Sequence, residues 1–228
     1  MDLLESIKSR KSVRAFKPES VPTETIKKVL EISIRAPSSV NSQPWEFFVV
    51  KGEALDKLKS VGGDKLRKGI GPNPNVPLPD KTKGDMGLQG IYKKRQVVLG
   101  VTIFKILGIA KGDQQAMMDY MAAMYRFFDA PAVIIICIDK MLELLSYPLI
   151  DIGALIQTIA LTAQEFHLGT CIMRAIVDYP EQVREIVGIP DSKHIIIGMT
   201  IGYPDWDHPI NSLQSERDKL EDLLTVVE

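Results

Sequence analysis

The chain has little cysteine, little histidine and almost no net charge, and each shortage removes a class of chemistry. Of its 228 residues only Cys137 and Cys171 are cysteines, and only His167, His194 and His208 are histidines. No two histidines have HExxH spacing and neither cysteine has a CxxC partner, so no zinc site or dithiol redox centre is spelled out. Both cysteines lie in apolar surroundings and read as small buried hydrophobes, with a disulfide between them left open. Twenty-eight cations against 29 anions leave a net charge of −1, too little for a field that gathers nucleic acid or anionic membrane. There is no GxSxG elbow. Gly69-Ile70-Gly71 begins like a dinucleotide fingerprint, but Pro74 stands where the third glycine belongs and no strand precedes it. No stretch reaches the roughly 18 uninterrupted apolar residues of a membrane span. Asp2 and Glu5 stand where a secretory signal would be basic. The expectation is a cytoplasmic protein with neither nucleic acid nor membrane as partner.

What is present suits one globular domain over residues 1–228: 45% hydrophobic and 25% charged residues, with no repeat or linker dividing two cores. Residues 3–9 read as a short amphipathic helix. Val21-Pro22-Thr23-Glu24 opens a second helix with Pro22 in its first turn and Ile26, Val29, Leu30 and Ile34 at helical spacing, ended by Pro37. Residues 46–50 read as a strand, with a helix from about Glu53. Residues 62–85 are rich in Gly, Pro and Lys and read as a long loop. Helical patterns follow over 88–108 and 113–127. Within the first, residues 97–110 are strongly apolar and read as a core helix, a partner surface or channel wall being the alternative. Residues 132–138 form an apolar run of strand length, consistent with a central strand. Residues 149–166 are apolar nearly all round except for Asp151, Gln157 and Gln164, the mark of a helix enclosed by other structure. Two more strands are expected at 168–173 and 194–201 with a helix at 181–187 between them, giving an α+β fold. Beyond Gly202-Tyr203-Pro204 the chain is irregular, then apolar at 223–227.

Two local constellations suggest chemistry. Residues 8–17 hold five bases and no acid. If extended, this piece sends Arg10, Ser12 and Arg14 to one side. Two guanidinium groups flanking a hydroxyl suit a phosphate dianion, and a solvated basic turn is the alternative. Residues 36–45 crowd Ser38, Ser39, Asn41, Ser42 and Gln43 between Pro37 and Pro44. That stiffened edge offers neutral donors and acceptors to a polar heterocycle, or is simply a well-made loop. Arg217 lies in a basic and acidic cluster near the C-terminus and says nothing alone.

Taken in order, these pieces resemble the nitroreductase family. The resemblance runs through Arg10-Lys11-Ser12-Val13-Arg14-Ala15-Phe16, through Pro37 to Trp45, through Leu168-Gly169-Thr170-Cys171 after an apolar helix, and through Arg217 to Leu223. Leu107-Gly108-Ile109 and Phe127-Phe128-Asp129-Ala130-Pro131 are similar to the branch that contains nitrobenzoate and nitroaromatic reductases. The resemblance implies a nitroreductase-like fold, a central mostly antiparallel sheet flanked by helices, in an intertwined homodimer. It implies an FMN site in which Arg10, Lys11, Ser12, Arg14 and Arg217 hold the phosphate and ribityl chain. Pro37, Ser38, Ser39 and Asn41 would contact the same flavin from the other subunit. The backbone of Ile172, Met173 and Arg174 would run along the ring. Residues 62–110 would be a variable insertion near the active site, where substrate choice is decided, and 203–228 an extension wrapping the partner. The implied reaction is ping-pong, with NADH or NADPH as donor and nitroaromatics, quinones or similar small molecules as acceptors. No catalytic side chain and no metal ligand is assigned. Alternatives are a reductive dehalogenase-like enzyme, disfavoured because no glutamate occurs between Glu53 and Glu143, and a flavin store or sensor without turnover.

Overall fold

The computed structural model describes residues 2–78 and 87–228. Four strands, β1 (Trp45–Lys51), β2 (Ala132–Asp139), β3 (Gly169–Met173) and β4 (Lys193–Gly202), form one sheet in the order β1-β2-β4-β3, antiparallel at every pairing. The continuous apolar run predicted at 132–138 is β2, and Val133 through Ile138 are fully buried. Only a strand covered on both faces tolerates such a run.

Among the described residues seven α-helices surround the sheet: α1 (Leu3–Ser9), α2 (Thr23–Ser33), α3 (Gly52–Arg67), α4 (Gly90–Ile106), α5 (Gln114–Tyr125), α6 (Ser146–Glu165) and α7 (Pro180–Val187). On one face of the sheet α2 and α6 enclose a core of Ile26, Val29, Leu155 and Ile159 against Ile134 and Ile136. On the other face α3 and α7 enclose Leu55, Leu58 and Val183 against Val133 and Ile135. Each fully buried aliphatic side chain contributes roughly 1.5–3 kcal/mol.

Several boundaries differ from the sequence reading. Pro22 is the N-cap of α2, one position before its first turn, and the helix ends at Ser33, not at Pro37. The Ser33 hydroxyl donates to the Val29 carbonyl at 2.6 Å, and the chain tightens into i→i+3 turns through Ala36. Ile34 falls outside the helix and is exposed. The expected loop from 62 is helix as far as Arg67. Gly62 is there because α3 rides against α5: a Cβ on it would lie 2.3 Å from Cδ1 of Tyr125. Residues 70–78 are irregular but anchored, with Asn73 N–H on the Asp178 carbonyl at 2.8 Å and Asn75 Oδ1 accepting from Ile195 N–H at 2.8 Å. Residues 79–86 of the predicted loop lie outside the described residues.

The largest corrections concern what is covered. α4 is no core helix: only Ile103 is buried, while Val97, Val98 and Val101 face outward. Its apolar residues lie all round, so a single chain can bury one side only. On α1 Leu3, Leu4 and Ile7 are exposed and the buried residue is Ser6. α6 is long and apolar enough to cross a membrane, but Ile152, Leu155, Ile159 and Ala163 pack on the sheet. Its opposite side, with Tyr147, Ile150 and Gly153, is bare. Residues 214–228 are exposed throughout. Both cysteines are free and buried. They sit on β2 and β3 with β4 between, opposite Ile195 and Thr200 respectively; two strand spacings across and five residues along β4 put them too far apart for a disulfide.

Candidate active site

Residues 10–17 are extended, as their alternation suggests, because they lie along the free edge of β3. Val13 N–H donates to the Thr170 carbonyl at 2.9 Å, Ser12 bridges Thr170, and Lys17 N–H donates to the Tyr203 carbonyl at 2.8 Å. Val13 turns inward over Gly169, where a Cβ would meet its Cγ2 at 2.5 Å. The glycine of the Leu-Gly-Thr element is thus required by close packing. The segment is clipped on its other side by Asn211, which is 2% exposed. Asn211 Oδ1 accepts from Arg14 N–H at 2.8 Å, and its Nδ2 donates to the carbonyls of Ala15 at 2.8 Å and Asp205 at 2.7 Å.

With Val13 inward, Ser12 bonds with the Cys171 thiol, and Arg14 and Arg10 lie near enough to act on it electrostatically. Burial pushes that thiol upward, against the two guanidinium groups and the Ser12 hydroxyl that favour its ionised form. Arg14 also reaches the Tyr120 hydroxyl, whose acidity burial weakens and the guanidinium partly restores. Arg10, Ser12 and Arg14 are half-buried, and among the described residues no carboxylate forms an ion pair with either arginine. Arg14 further borders a cavity of about 490 Å³ walled by Phe16, Tyr120, Phe128, Arg126 and His208, a volume in the range of small-molecule sites. Lys11 is committed elsewhere: its ammonium donates to the Asn211 carbonyl at 3.1 Å and stands 5.6 Å from the Trp206 ring centre.

The second constellation is a turn at 39–41 after α2. Val40, Asn41 and Gln43 all have positive φ (48°, 58° and 45°). For a β-branched valine that conformation is strained, and such strain gathers at functional sites. Asp151, one of the polar exceptions noted on the apolar helix, holds the turn. Buried at 6% exposure, it accepts from Ser39 N–H at 3.1 Å to both oxygens and from the Ser42 hydroxyl at 3.4 Å. Gln43 N–H donates to the Ser38 hydroxyl oxygen at 3.1 Å. Pro37 and the side chains of Ser39 and Asn41 face solvent.

The two constellations occupy opposite ends of α6. Gln164 near its C-terminus bonds Ser9 and Ser6 beside the basic segment (3.0 and 2.9 Å), while Asp151 near its start holds the 39–41 turn. From Asp151 to Gln164 the helix rises about 20 Å.

The third group lies at the end of β3. Ile172 faces outward, Met173 is buried, and Arg174 forms an ion pair with Asp178. Burial raises the Asp178 carboxyl above the ordinary range, opposed by Arg174. Arg217 lies in the exposed tail, its guanidinium donating to the Ser215 carbonyl at 3.1 Å and hydroxyl at 2.8 Å. The histidines are scattered: His208 Nδ1 accepts from Ile210 N–H at 3.2 Å, His194 lies on β4 and His167 in the turn before β3. Among the described residues no group of three His, Cys, Asp or Glu side chains could hold a metal ion. Asn211, Asp151 and Tyr120 were not singled out as site residues from the sequence. Asp151 alone left a trace there, as a charge on an otherwise apolar helix.

Comparison with known proteins identifies the family. Residues 7–203 match the model of the nitroreductase family. A 4-nitrobenzoate reductase from Nocardioides sp. (strain LMS-CY) is 33% identical over 216 residues, covering 94% of this chain and 85% of that protein. The crystal structure of an FMN and NADPH-dependent nitroreductase, NfnB from Sphigopyxis sp. strain HMH, superposes with a TM-score of 0.91 at 26% identity over the whole of both chains. The FMN-dependent NfnB of Mycobacterium smegmatis, solved in complex with NADPH, gives 0.89 at 26% identity over 99% of this chain and 97% of that one.

Proposed function

The chain belongs to the nitroreductase family, and on that premise we propose that it is a cytoplasmic, homodimeric FMN-dependent NAD(P)H oxidoreductase. Its acceptors are nitroaromatics, quinones or similar small molecules. The observation that carries the reading is the cluster of Arg10, Ser12 and Arg14, two half-buried guanidinium groups and a hydroxyl without a described carboxylate partner. That donor set fits a phosphate with its ribityl chain. FMN, when bound, would supply the redox chemistry, a two-electron exchange with a nicotinamide donor and a small acceptor in turn. The protein's part is to hold and to exclude. Arg10, Ser12 and Arg14 bind the phosphate end, with Lys11 holding the Asn211 carbonyl behind them, and the backbone of Ile172, Met173 and Arg174 lines the ring. Residues 62–110 shape the acceptor side. The nicotinamide and FMN named for the relatives above support the cofactor assignment, and the nitrobenzoate reductase supports the acceptor class.

Pro37, Ser38, Ser39 and Asn41 complete the site from a second copy. Within one chain they stand about 20 Å along α6 from the basic segment, so one cofactor touches both only across an interface. The bare side of α6, the outer face of α4 and the apolar tail supply that interface. The tail, reaching the other subunit, carries Arg217 to its site. Obligate dimers bury large apolar areas of this kind.

The test is the visible spectrum of the purified protein with added FMN, followed by anaerobic NADH or NADPH. The expected result is a flavin band that bleaches with nicotinamide and returns with a nitroaromatic or quinone. A protein that takes up no FMN would overturn the proposal. Bound flavin that no nicotinamide reduces would replace it with a store or sensor.

A further inference from the structure

Asp178 is the most deeply buried carboxylate among the described residues, at 1% exposure. It stands four residues after Arg174, on the short turn that follows β3. One of its oxygens takes the Arg174 guanidinium, while the other has no hydrogen-bond partner among the described residues. A buried carboxylate half satisfied is expensive to keep unless its charge is used. Its place is set by neighbours. Its own carbonyl accepts from Asn73 N–H at 2.8 Å. The adjacent Tyr179 donates to the Ile70 carbonyl at 3.0 Å and packs its ring 6.5 Å from that of Tyr125. The loop at 70–78, α5 and the end of β3 therefore meet around the Asp178-Tyr179 pair.

We propose that Asp178 is a positioning residue for the redox site, the fixed counter-ion that neutralises Arg174 beside the segment lining the flavin. The proposal rests on the FMN reading of residues 172–174. Its physical content is electrostatic. A cation near a flavin favours the electron-rich reduced state, and a buried anion paired with that cation cancels the effect. With Asp178 in place, the guanidinium organises the turn without driving the cofactor toward reduction.

The test is the two-electron midpoint potential of the FMN-loaded wild type, Asp178→Asn, Arg174→Gln and the double variant, by dye-equilibrium reduction at fixed pH. Asp178→Asn, which leaves the guanidinium uncompensated, is expected to favour reduction roughly tenfold, a positive shift of about 30 mV. Arg174→Gln is expected to shift the potential the other way, and the double variant to return near wild type. A carboxylate that only stabilises the fold would change the melting temperature and leave these signs unordered. Loaded Asp178→Asn with wild-type potential, or single shifts of the same sign, overturns the proposal. Should Asp178→Asn fail to fold, Arg174→Gln decides alone, its potential read at a pH high enough to keep Asp178 ionised: no negative shift there overturns the proposal. A wild type that takes up no FMN overturns the underlying reading and this proposal with it, an outcome distinct from loaded enzymes of equal potential.

Discussion

The middle of the sheet and the periphery of the molecule both carry aliphatic side chains, and the chain treats them in opposite ways. On β2 every side chain from Val133 to Ile138 is out of reach of solvent. On α4 and in the tail, Val101, Leu223 and Val227 are 61%, 69% and 90% exposed. α6 contains both regimes, with Leu155 and Ile159 locked in the core and Ile150 bare on the other side. The contrast teaches that apolar content says a residue will be covered, not by which chain. Uncovered apolar side chains gathered on one side of a helix, as on α6, suit a binding face.

Three perturbations sharpen or break that contrast. The largest effect is expected from Ile135→Asp, which puts an unpaired carboxylate between two packed layers at a cost of about 4 kcal/mol or more. It should abolish folded protein in expression and circular dichroism. Ile150→Asp, on the same count of atoms, should leave the fold intact and shift sedimentation to a monomer. Equal damage from both would erase the distinction between core and interface.

Removing residues 214–228 is expected to act less severely. The exposed tail contributes little to its own subunit, so secondary structure should persist while dimer mass and FMN uptake fall together. A truncated protein that stays dimeric and binds FMN as before would deny the tail its role in the second subunit.

The smallest effect concerns the thiols. Cys137 is pushed up to about 12 by burial, and Cys171 is raised as well. At pH 8 about one Cys137 in 10⁴ is thiolate, so neither cysteine should react with iodoacetamide until the protein unfolds. The linkage has a definite sign. Between the ordinary thiol value near 9 and the folded value, the unfolded chain has lost its proton and the folded chain has kept it. Stability therefore falls as pH rises through that window. Rapid alkylation of the native protein at pH 8 would show that the sheet opens.

Much of this was legible in the sequence where the signal is local. The strand at 132–138 declared itself by a covered apolar run, and the basic segment by its alternation. The family followed from four short motifs in order. What was not legible depends on partners distant in the chain. The helix through Gly62-Gly63 persists because Tyr125, on another helix, needs the space. Asp151 serves a turn more than a hundred residues away, and Asn211 clips a segment near the other terminus. Nothing near these residues in the sequence announces such bonds. The exposure of α4 was misread for a related reason: periodicity shows one apolar side or several, and α4 has several.

The central claim is that each FMN site takes its phosphate-binding segment from one chain and its Ser-Ser-x-Asn turn from another. The most direct measurement is complementation between an Arg10→Ala/Arg14→Ala variant and a Ser39→Ala/Asn41→Ala variant, each deficient in FMN binding, refolded together. If the halves come from different chains, mixed dimers rebuild one intact site, and about a quarter of all sites should regain flavin in an equal mixture. If each site lies within a single chain, the mixture will bind no more FMN than the two variants alone, and the account of the dimer fails.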